Sequence, residues 1–152
     1  MAVQPIPAGY HSVTPYLIVK DAAKAIDCYQ RAFGATELFR LPTPDGKIAH
    51  AEIKIGNSPV MLADETKEFP GPQTLGGAAV SLMLYTPDVN TMFPQALAAG
   101  GTQQRPLADQ FYGDRTGTLV DPFGHVWTIA THTEDVAQEE MDRRYKKLMQ
   151  GG

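Results

Sequence analysis

A histidine and a glutamate stand two residues apart in a segment that alternates like a β-strand, and this pair is the best suited to chemistry. Alternate side chains of a strand point to opposite faces of a sheet, so His50 and Glu52 share one face of the predicted strand 48–55. The helix-packed face is expected to carry Ala49, Ala51, Ile53 and Ile55, and the other face Ile48, His50, Glu52 and Lys54. Imidazole titrates near neutral pH and a neighbouring carboxylate orients it or acts itself, so the pair suits general acid–base catalysis. A structural hydrogen bond or a solvated patch is the alternative interpretation.

A second group of candidate residues lies between positions 111 and 115. Arg115 is expected at the mouth of a cavity, where its guanidinium suits a carboxylate or a phosphate, although an ion pair with the neighbouring Asp114 explains it equally well. Phe111 and Tyr112 precede Gly113 in a predicted loop. They suit either closure over an apolar ligand or packing against a second subunit.

The elements that must position these residues occur twice in the chain. Residues 13–21 (VTPYLIVKD) align with residues 80–88 (VSLMLYTPD) at an offset of 67 residues. The same ungapped offset brings Gly34 onto Gly101 and the turn 55–58 onto 122–125. Agreement at one offset over about fifty residues indicates an internal repeat.

Each repeat is predicted to fold as a strand, a helix and three further strands. The first half has strands 13–19, 36–40, 48–55 and 59–63, with a helix between Asp21 and Gly34, and the second has strands 80–85, near 103, 116–120 and 125–130, with a helix 88–99. Pro94 is expected to kink that second helix or delay its start.

These elements predict an α+β fold of two tandem βαβββ modules, residues 10–64 and 78–132, within a single domain of 152 residues. Residues 65–77 are the predicted linker between the modules, and residues 134–149 a C-terminal amphipathic helix. One face of each sheet packs on its helix. The other, concave face is where a ligand is expected.

Composition excludes several classes of function. With 43% hydrophobic and 20% charged residues the chain is globular, and its net charge of −4 gives no basic footprint for nucleic acid. No run of about 18 apolar residues predicts a membrane span, and residues 1–9 do not resemble a signal peptide. The lone Cys28 cannot form a disulfide within the chain, so we expect a reducing, cytoplasmic environment.

Three stretches carry a resemblance to a known family. Residues 15–34 (PYLIVKDAAKAIDCYQRAFG) resemble the opening of glyoxalase-like proteins, and residues 121–127 (DPFGHVW) resemble their closing hairpin. Residues 113–115 (GDR) and 130–135 (ATHTED) are similar to the PhnB-like branch. The chain is thereby identified as a member of the vicinal-oxygen-chelate superfamily, which contains glyoxalases, bleomycin-resistance proteins and dioxygenases. Such a resemblance implies the cupped two-module fold but does not select a reaction.

In metal-dependent members of that superfamily, His and Glu ligands come from the first and fourth strands of each module. Carried onto this sequence, the resemblance places Thr14, Met61, Ser81 and Thr128 at those positions. Zinc, nickel, iron and manganese prefer imidazole, carboxylate or thiolate ligands, which none of these side chains offers. We therefore expect no metal and no other cofactor.

Two functions remain open. The first is a metal-free protein, similar to the bleomycin-resistance class, that binds a small anionic or aromatic molecule. The expected ligand-binding residues are Thr14, Tyr16, Met61, Ser81, Met83, Phe111, Tyr112, Arg115 and Thr128. The second is an enzyme: either an isomerase, epimerase or lyase in which His50 and Glu52 are catalytic and transfer protons, or a metal-dependent enzyme similar to glyoxalases and dioxygenases. In either case we expect a homodimer, with the C-terminal helix contributing to its interface.

Overall fold

A computed structural model describes residues 2–151 as eight strands and four helices arranged in two similar halves. Module 1 contains β1 (Tyr16–Val19), α1 (Ala22–Phe33), β2 (Thr36–Pro42), β3 (Ile48–Ile55) and β4 (Ser58–Asp64). Module 2 contains β5 (Ser81–Tyr85), α3 (Val89–Ala98), β6 (Thr102–Asp109), β7 (Asp114–Val120) and β8 (Val126–His132). The short helix α2 (Pro72–Leu75) lies in the connection between them, and α4 (Gln138–Gly151) follows module 2.

Each module forms one four-stranded sheet with the same order of strands. The order is β1-β4-β3-β2 in module 1 and β5-β8-β7-β6 in module 2. The first strand pairs in parallel with the fourth, and the other neighbours are antiparallel. The predicted α+β architecture of two tandem βαβββ modules is therefore confirmed.

The two helices begin in the same way because equivalent side chains satisfy their first backbone N–H groups. Asp21 accepts from the backbone of Lys24, and Asp88 accepts from that of Thr91. Each helix receives a second acceptor from the end of its module's fourth strand. The N–H of Ala22 donates to Asp64 (3.1 Å), and in module 2 that of Val89 donates to Thr131 (2.8 Å).

One hydrophobic core lies between the two helices and the sheet faces that they cover. At its centre the buried carboxylate of Asp121 accepts hydrogen bonds from the Tyr29 hydroxyl (2.6 Å) and the Trp127 indole (2.8 Å). Tyr29 belongs to α1 and Trp127 to β8, so this carboxylate ties one module to the other. The imidazole of His125 makes a second tie, to the backbone oxygen of Ile18 (2.9 Å).

Several element boundaries differ from the prediction. β1 begins at Tyr16 rather than at residue 13, and α4 begins at Gln138 and continues to Gly151. Pro94 lies inside α3, which nevertheless starts directly after its cap at Asp88. Among residues 2–151, no helix is both long and apolar enough to cross a membrane.

Candidate functional site

A chain of four hydrogen-bonded side chains lies on the sheet face of module 1 that is turned away from α1. We call this surface, and its counterpart in module 2, the open face. His50 Nε2 contacts Glu52 Oε2 at 2.7 Å, and His50 Nδ1 contacts the Tyr16 hydroxyl at 2.7 Å. The other oxygen of Glu52 accepts a hydrogen bond from the hydroxyl of Tyr10, in the segment before β1. Tyr10, Glu52, His50 and Tyr16 thus form one continuous polar chain.

The electrostatics of this chain fix its protonation pattern. Burial of Glu52 acts to raise the pKa of its carboxyl, but the hydrogen bonds from His50 and Tyr10 outweigh burial and lower that pKa. Glu52 is therefore ionised at neutral pH, so His50 carries a proton on Nε2 and donates it to Glu52. Burial, followed by the charge of Glu52, raises the pKa of Tyr16, which keeps this phenol protonated.

A cleft lies beside this chain, next to an irregularity in the β2–β3 pairing. In the β2–β3 pairing, Leu41 lies opposite His50 and Pro42 opposite Ile48, so Ala49 is an extra residue in β3. The expected orientations of these two neighbours were wrong: Ile48 is buried in the core, and Ala49 is exposed on the open face.

The cleft beside this bulge has a volume of about 560 Å³ and is mostly apolar. It is lined by Tyr16, Ile18, Ala49, Ala63, Asp64, Thr66 and Phe69. Asp64 is the one acidic member, and its carboxylate is already engaged by the N–H groups of Ala22 and Ile48. Tyr16 belongs both to the cleft and to the polar chain, so the cleft and the chain form one continuous site.

The positions at which the superfamily places metal ligands carry side chains that do not fit a metal. Met61 lies between Tyr16 and Glu52 in the pairing register, and Thr128 lies beside Met83 and hydrogen-bonds to Thr118. Methionine and threonine offer a thioether and a hydroxyl, which are poor ligands for divalent metal ions such as zinc. Thr14 lies before β1, and Ser81 is the first residue of β5. Within residues 2–151, no three His, Cys, Asp or Glu side chains are arranged to hold a metal ion.

Arg115 was expected at the mouth of the cavity on the open face. This expectation was wrong, because Arg115 lies on the opposite face of the sheet. Its guanidinium contacts Asn90 in α3 (2.8 Å) and Asp109 (3.3 Å), on the helix side of the sheet, and it makes no ion pair with Asp114. Gly117 also faces α3, because a Cβ atom there would approach the Phe93 ring to 2.7 Å. The open face of β7 is instead formed by Asp114, Thr116 and Thr118.

The aromatic loop residues lie beside α4 rather than beside the polar chain. The ring centroids of Phe111 and Tyr112 are 5.3 Å apart, and Phe111 is 5.7 Å from Tyr145 of α4. Met83 is half-exposed on β5, and its neighbour on the same face is Tyr85. The structure therefore brings together Tyr16, His50, Glu52 and Met61 in module 1, while Met83 and Thr128 lie on the open face of module 2.

One feature of the site was not found in the sequence. Tyr10 lies 42 positions from Glu52, in a segment with no periodic pattern, and no sequence signal pairs it with a strand residue.

Comparisons with known proteins agree with this fold. A family model described as the glyoxalase/bleomycin resistance protein/dioxygenase superfamily matches residues 9–129. The uncharacterized protein Mb0911c of Mycobacterium bovis is 42% identical over 146 residues, which are 93% of this chain and 93% of that protein. The crystal structure of TioX from Micromonospora sp. ML1 superposes with a TM-score of 0.64 at 29% identity, covering 80% of this chain and 98% of that one. A PhnB protein from Bacillus cereus shares the fold (TM-score 0.64, 20% identity, 80% of this chain and 99% of that one).

The fold and the family model together define the class of this protein. The chain belongs to the glyoxalase/bleomycin resistance protein/dioxygenase superfamily.

Proposed function

We propose that this protein binds a small organic molecule on the open face of module 1, without a metal ion. The observation that carries the proposal is the continuity between the polar chain and the apolar cleft, which meet at Tyr16. Sites for small molecules combine a mostly apolar cavity with a few convergent polar groups. This site has both, and its volume of about 560 Å³ lies in the range of such cavities.

The chemistry of the two parts suggests the class of ligand. Ala49 and Ala63 present only methyl groups, and Phe69 also lines the cleft, so the space between them suits a flat aromatic or short alkyl group. The Tyr16 hydroxyl stands at the polar end of the cleft, where it is the group available to hydrogen-bond to an oxygen atom of the ligand. The proposed ligand is therefore a small aromatic molecule with an oxygen-bearing polar group.

A second candidate function is proton transfer in an isomerase, epimerase or lyase. It is favoured by the orientation of His50, because Glu52 holds the Nε2 proton and leaves Nδ1 as the basic nitrogen. That nitrogen now accepts from Tyr16, so Tyr16 would pass a proton between substrate and His50, or move aside. The pattern of a base oriented by a carboxylate is common to many enzymes and does not by itself name the substrate.

The cleft can be tested with the fluorescent aromatic anion 8-anilinonaphthalene-1-sulfonate. Replacement of a lining alanine, Ala63→Leu, fills the cleft, and we expect it to weaken binding of this probe about tenfold or more, which corresponds to roughly 1.4 kcal/mol. The matched control is Ala98→Leu, which adds the same side chain at an exposed position on α3. Equal affinities of the wild-type protein and both variants would contradict the proposed site.

His50→Gln separates the two candidate functions. The wild-type protein and this variant are incubated in D2O with a panel of 2-hydroxy acids and 1,3-dicarbonyl compounds, and loss of carbon-bound protons is followed by NMR. Exchange in the wild-type protein that the variant loses would support proton-transfer catalysis. Exchange by neither protein, with probe binding retained by both, would support a binding protein.

We further propose that the chain is a homodimeric, single-domain protein of the PhnB-like branch that works in the cytoplasm. Support for the branch comes from residues 113–115 and 130–135, which are similar to that branch. Support for the dimer comes from apolar side chains exposed on both open faces, among them Tyr16, Phe39, Met83 and Tyr85. Cytoplasmic localisation rests on the single reduced cysteine, Cys28.

A further inference from the structure

A second hydrogen-bonded cluster lies on the open face of module 2 and plays no part in the proposed ligand site. Asp114 of β7 is 3% exposed, and its carboxylate accepts from the Tyr85 hydroxyl at 2.6 Å. Its other oxygen contacts His132 Nδ1 at 2.7 Å. His132 Nε2 contacts Asp135 at 2.7 Å, in the segment that leaves the sheet. The imidazole therefore bridges a buried carboxylate and the start of the C-terminal segment.

That C-terminal segment, residues 133–151, is held on module 2 at few points. The backbone oxygen of Gly113 accepts from the N–H groups of Thr133 (2.8 Å) and Glu134 (3.0 Å). The fit is tight, because a Cβ atom on Gly113 would lie 2.1 Å from the Glu134 oxygen. Further along, Arg144 of α4 donates to the backbone oxygen of Phe111 (3.1 Å), which lies in the loop of module 2. Arg144 also forms an ion pair with Glu134 inside the segment itself. We call residues 133–151 the strap.

The helix of this strap contributes little burial of its own. No described residue of α4 is buried, and its side chains Tyr145, Leu148 and Met149 are about half exposed. Isolated helices of this length are marginal in water. Docking of the strap therefore depends strongly on the polar contacts near its beginning, where His132 lies.

The charges around His132 favour its protonated form. A neutral imidazole has one N–H donor, and only the imidazolium can donate to Asp114 and Asp135 at once. Hydrogen bonds with Asp114 and then Asp135 raise the pKa of His132. The other groups facing the cluster are phenols: Tyr85 from β5 occupies the second oxygen of Asp114, and Tyr112 lies in the adjoining loop.

We propose that His132 is a proton-operated latch for the strap. When His132 carries its proton, it holds residues 133–151 against the loop 110–113, and loss of that proton releases the strap. The direction follows from linkage: Asp135 belongs to the strap and helps to raise the pKa of His132, so its contact stabilises the docked state at low pH, and this contribution disappears as pH rises through the raised pKa. Release also frees Phe111, whose ring packs on Tyr145 and whose backbone oxygen is bound by Arg144.

Hydrogen–deuterium exchange of the strap, corrected for intrinsic exchange rates, tests the latch with the intact protein. The wild-type protein is compared with His132→Gln at about pH 6 and about pH 8.5, on either side of the usual imidazole range. We expect the wild-type strap to be better protected than the variant at the lower pH, by about tenfold for each unit by which docking raises the pKa of His132. At the higher pH the two proteins should converge.

Two further variants keep this result interpretable. His11→Gln replaces an exposed histidine before β1, and its strap should follow the wild-type profile. Asp135→Asn changes an exposed side chain that cannot disturb the core, and it should lose most of the difference between the two pH values, because Asp114 stays beside His132 whether or not the strap is docked. Fluorescence of Trp127, the one tryptophan of the sequence, reports that the core is intact. The latch is overturned if wild-type and His132→Gln straps show the same pH profile, or if the wild-type strap is better protected at high pH.

Discussion

Glu52 is a carboxylate that the fold buries and yet keeps charged. It is 8% exposed, and its two oxygens are engaged separately, one by His50 and the other by Tyr10. A buried charge without partners would take up a proton instead. The polar chain therefore has a structural role, which it performs whether or not a ligand is bound.

Replacement of this carboxylate by an amide predicts a pH-dependent change in stability. Glu52→Gln should lower the free energy of unfolding by about 1–3 kcal/mol at neutral pH, because Tyr10 and His50 lose a charged acceptor. Because folding lowers the pKa of Glu52, its ionised carboxylate stabilises the protein at pH values above the pKa of the unfolded state, which is near 4.3. This stabilisation is lost as the pH falls through the lower pKa of the folded state. Urea unfolding at a series of pH values measures the difference between the two proteins.

The difference should shrink as the solution becomes acidic. Glu139→Gln, at an exposed position of α4, is the matched control and should leave stability nearly unchanged at every pH. A stability gap between wild-type and Glu52→Gln that stays constant from neutral to acidic pH would contradict the assignment of Glu52 as an ionised partner of His50.

At the scale of single elements, β7 packs closely against α3 at Gly117. Gly117 leaves room for the ring of Phe93, whose atoms would lie 2.7–2.9 Å from an added Cβ. Phe93 is itself buried in the core, so it has little space to move. The absence of a side chain at Gly117 is therefore a packing requirement.

Gly117→Ala should destabilise the protein by about 1–3 kcal/mol, the usual cost of overpacking a core. The same exchange at Gly151, where an added Cβ meets nothing within 4 Å, should have little effect. Thermal unfolding of the two variants measures this. Equal melting temperatures would show that Gly117 does not face Phe93.

The same strand explains where sequence reasoning failed. The ungapped offset of 67 residues holds for β1 and β4, since Tyr16 pairs with Met61 just as Met83 pairs with Thr128. Between the last two strands of each module the offset is wrong by one residue. Glu52 lies opposite Met61, so the offset places Leu119 opposite Thr128, but the residue there is Thr118. Two residues separate β3 from β4, whereas five separate β7 from β8, so the two connections do not set the same register.

A shift of one residue reverses the faces of a strand, which is why Arg115 was assigned to the wrong face. The bulge at Ala49 reversed the expected orientations of Ile48 and Ala49 in the same way. Periodicity and repeat spacing predicted the elements, their order and the shared face of His50 and Glu52. Loop length and bulges are set by local backbone geometry and tertiary packing, for which a single sequence carries no clear signal.

At the scale of the whole molecule, the two open faces leave apolar side chains in solvent. Tyr85 is 57% exposed and Leu41 is 54% exposed, although each lies on a sheet face that could be covered. Patches of this kind commonly mark protein contacts. A second copy of the chain is the partner that we propose for them.

Light scattering at micromolar concentration should therefore give the mass of two chains. The variant Leu41→Lys places a charge in the exposed patch of β2 and should shift the equilibrium toward monomer, whereas Lys54→Arg, also exposed on module 1, should not. A wild-type monomer over the whole concentration range would refute the dimer. It would leave the site in module 1 unaffected, because Tyr10, Tyr16, His50 and Glu52 all come from one chain.

The central claim is that this member of the superfamily works without a metal ion, and elemental analysis of the purified protein tests it most directly. The measurement is paired with a thermal-shift titration against Zn²⁺, Ni²⁺, Mn²⁺ and Fe²⁺. We expect no stoichiometric metal and no stabilisation, because Thr14, Met61, Ser81 and Thr128 provide no imidazole, carboxylate or thiolate. Stoichiometric metal together with a rise in melting temperature would contradict the account and make metal-assisted chemistry the leading hypothesis.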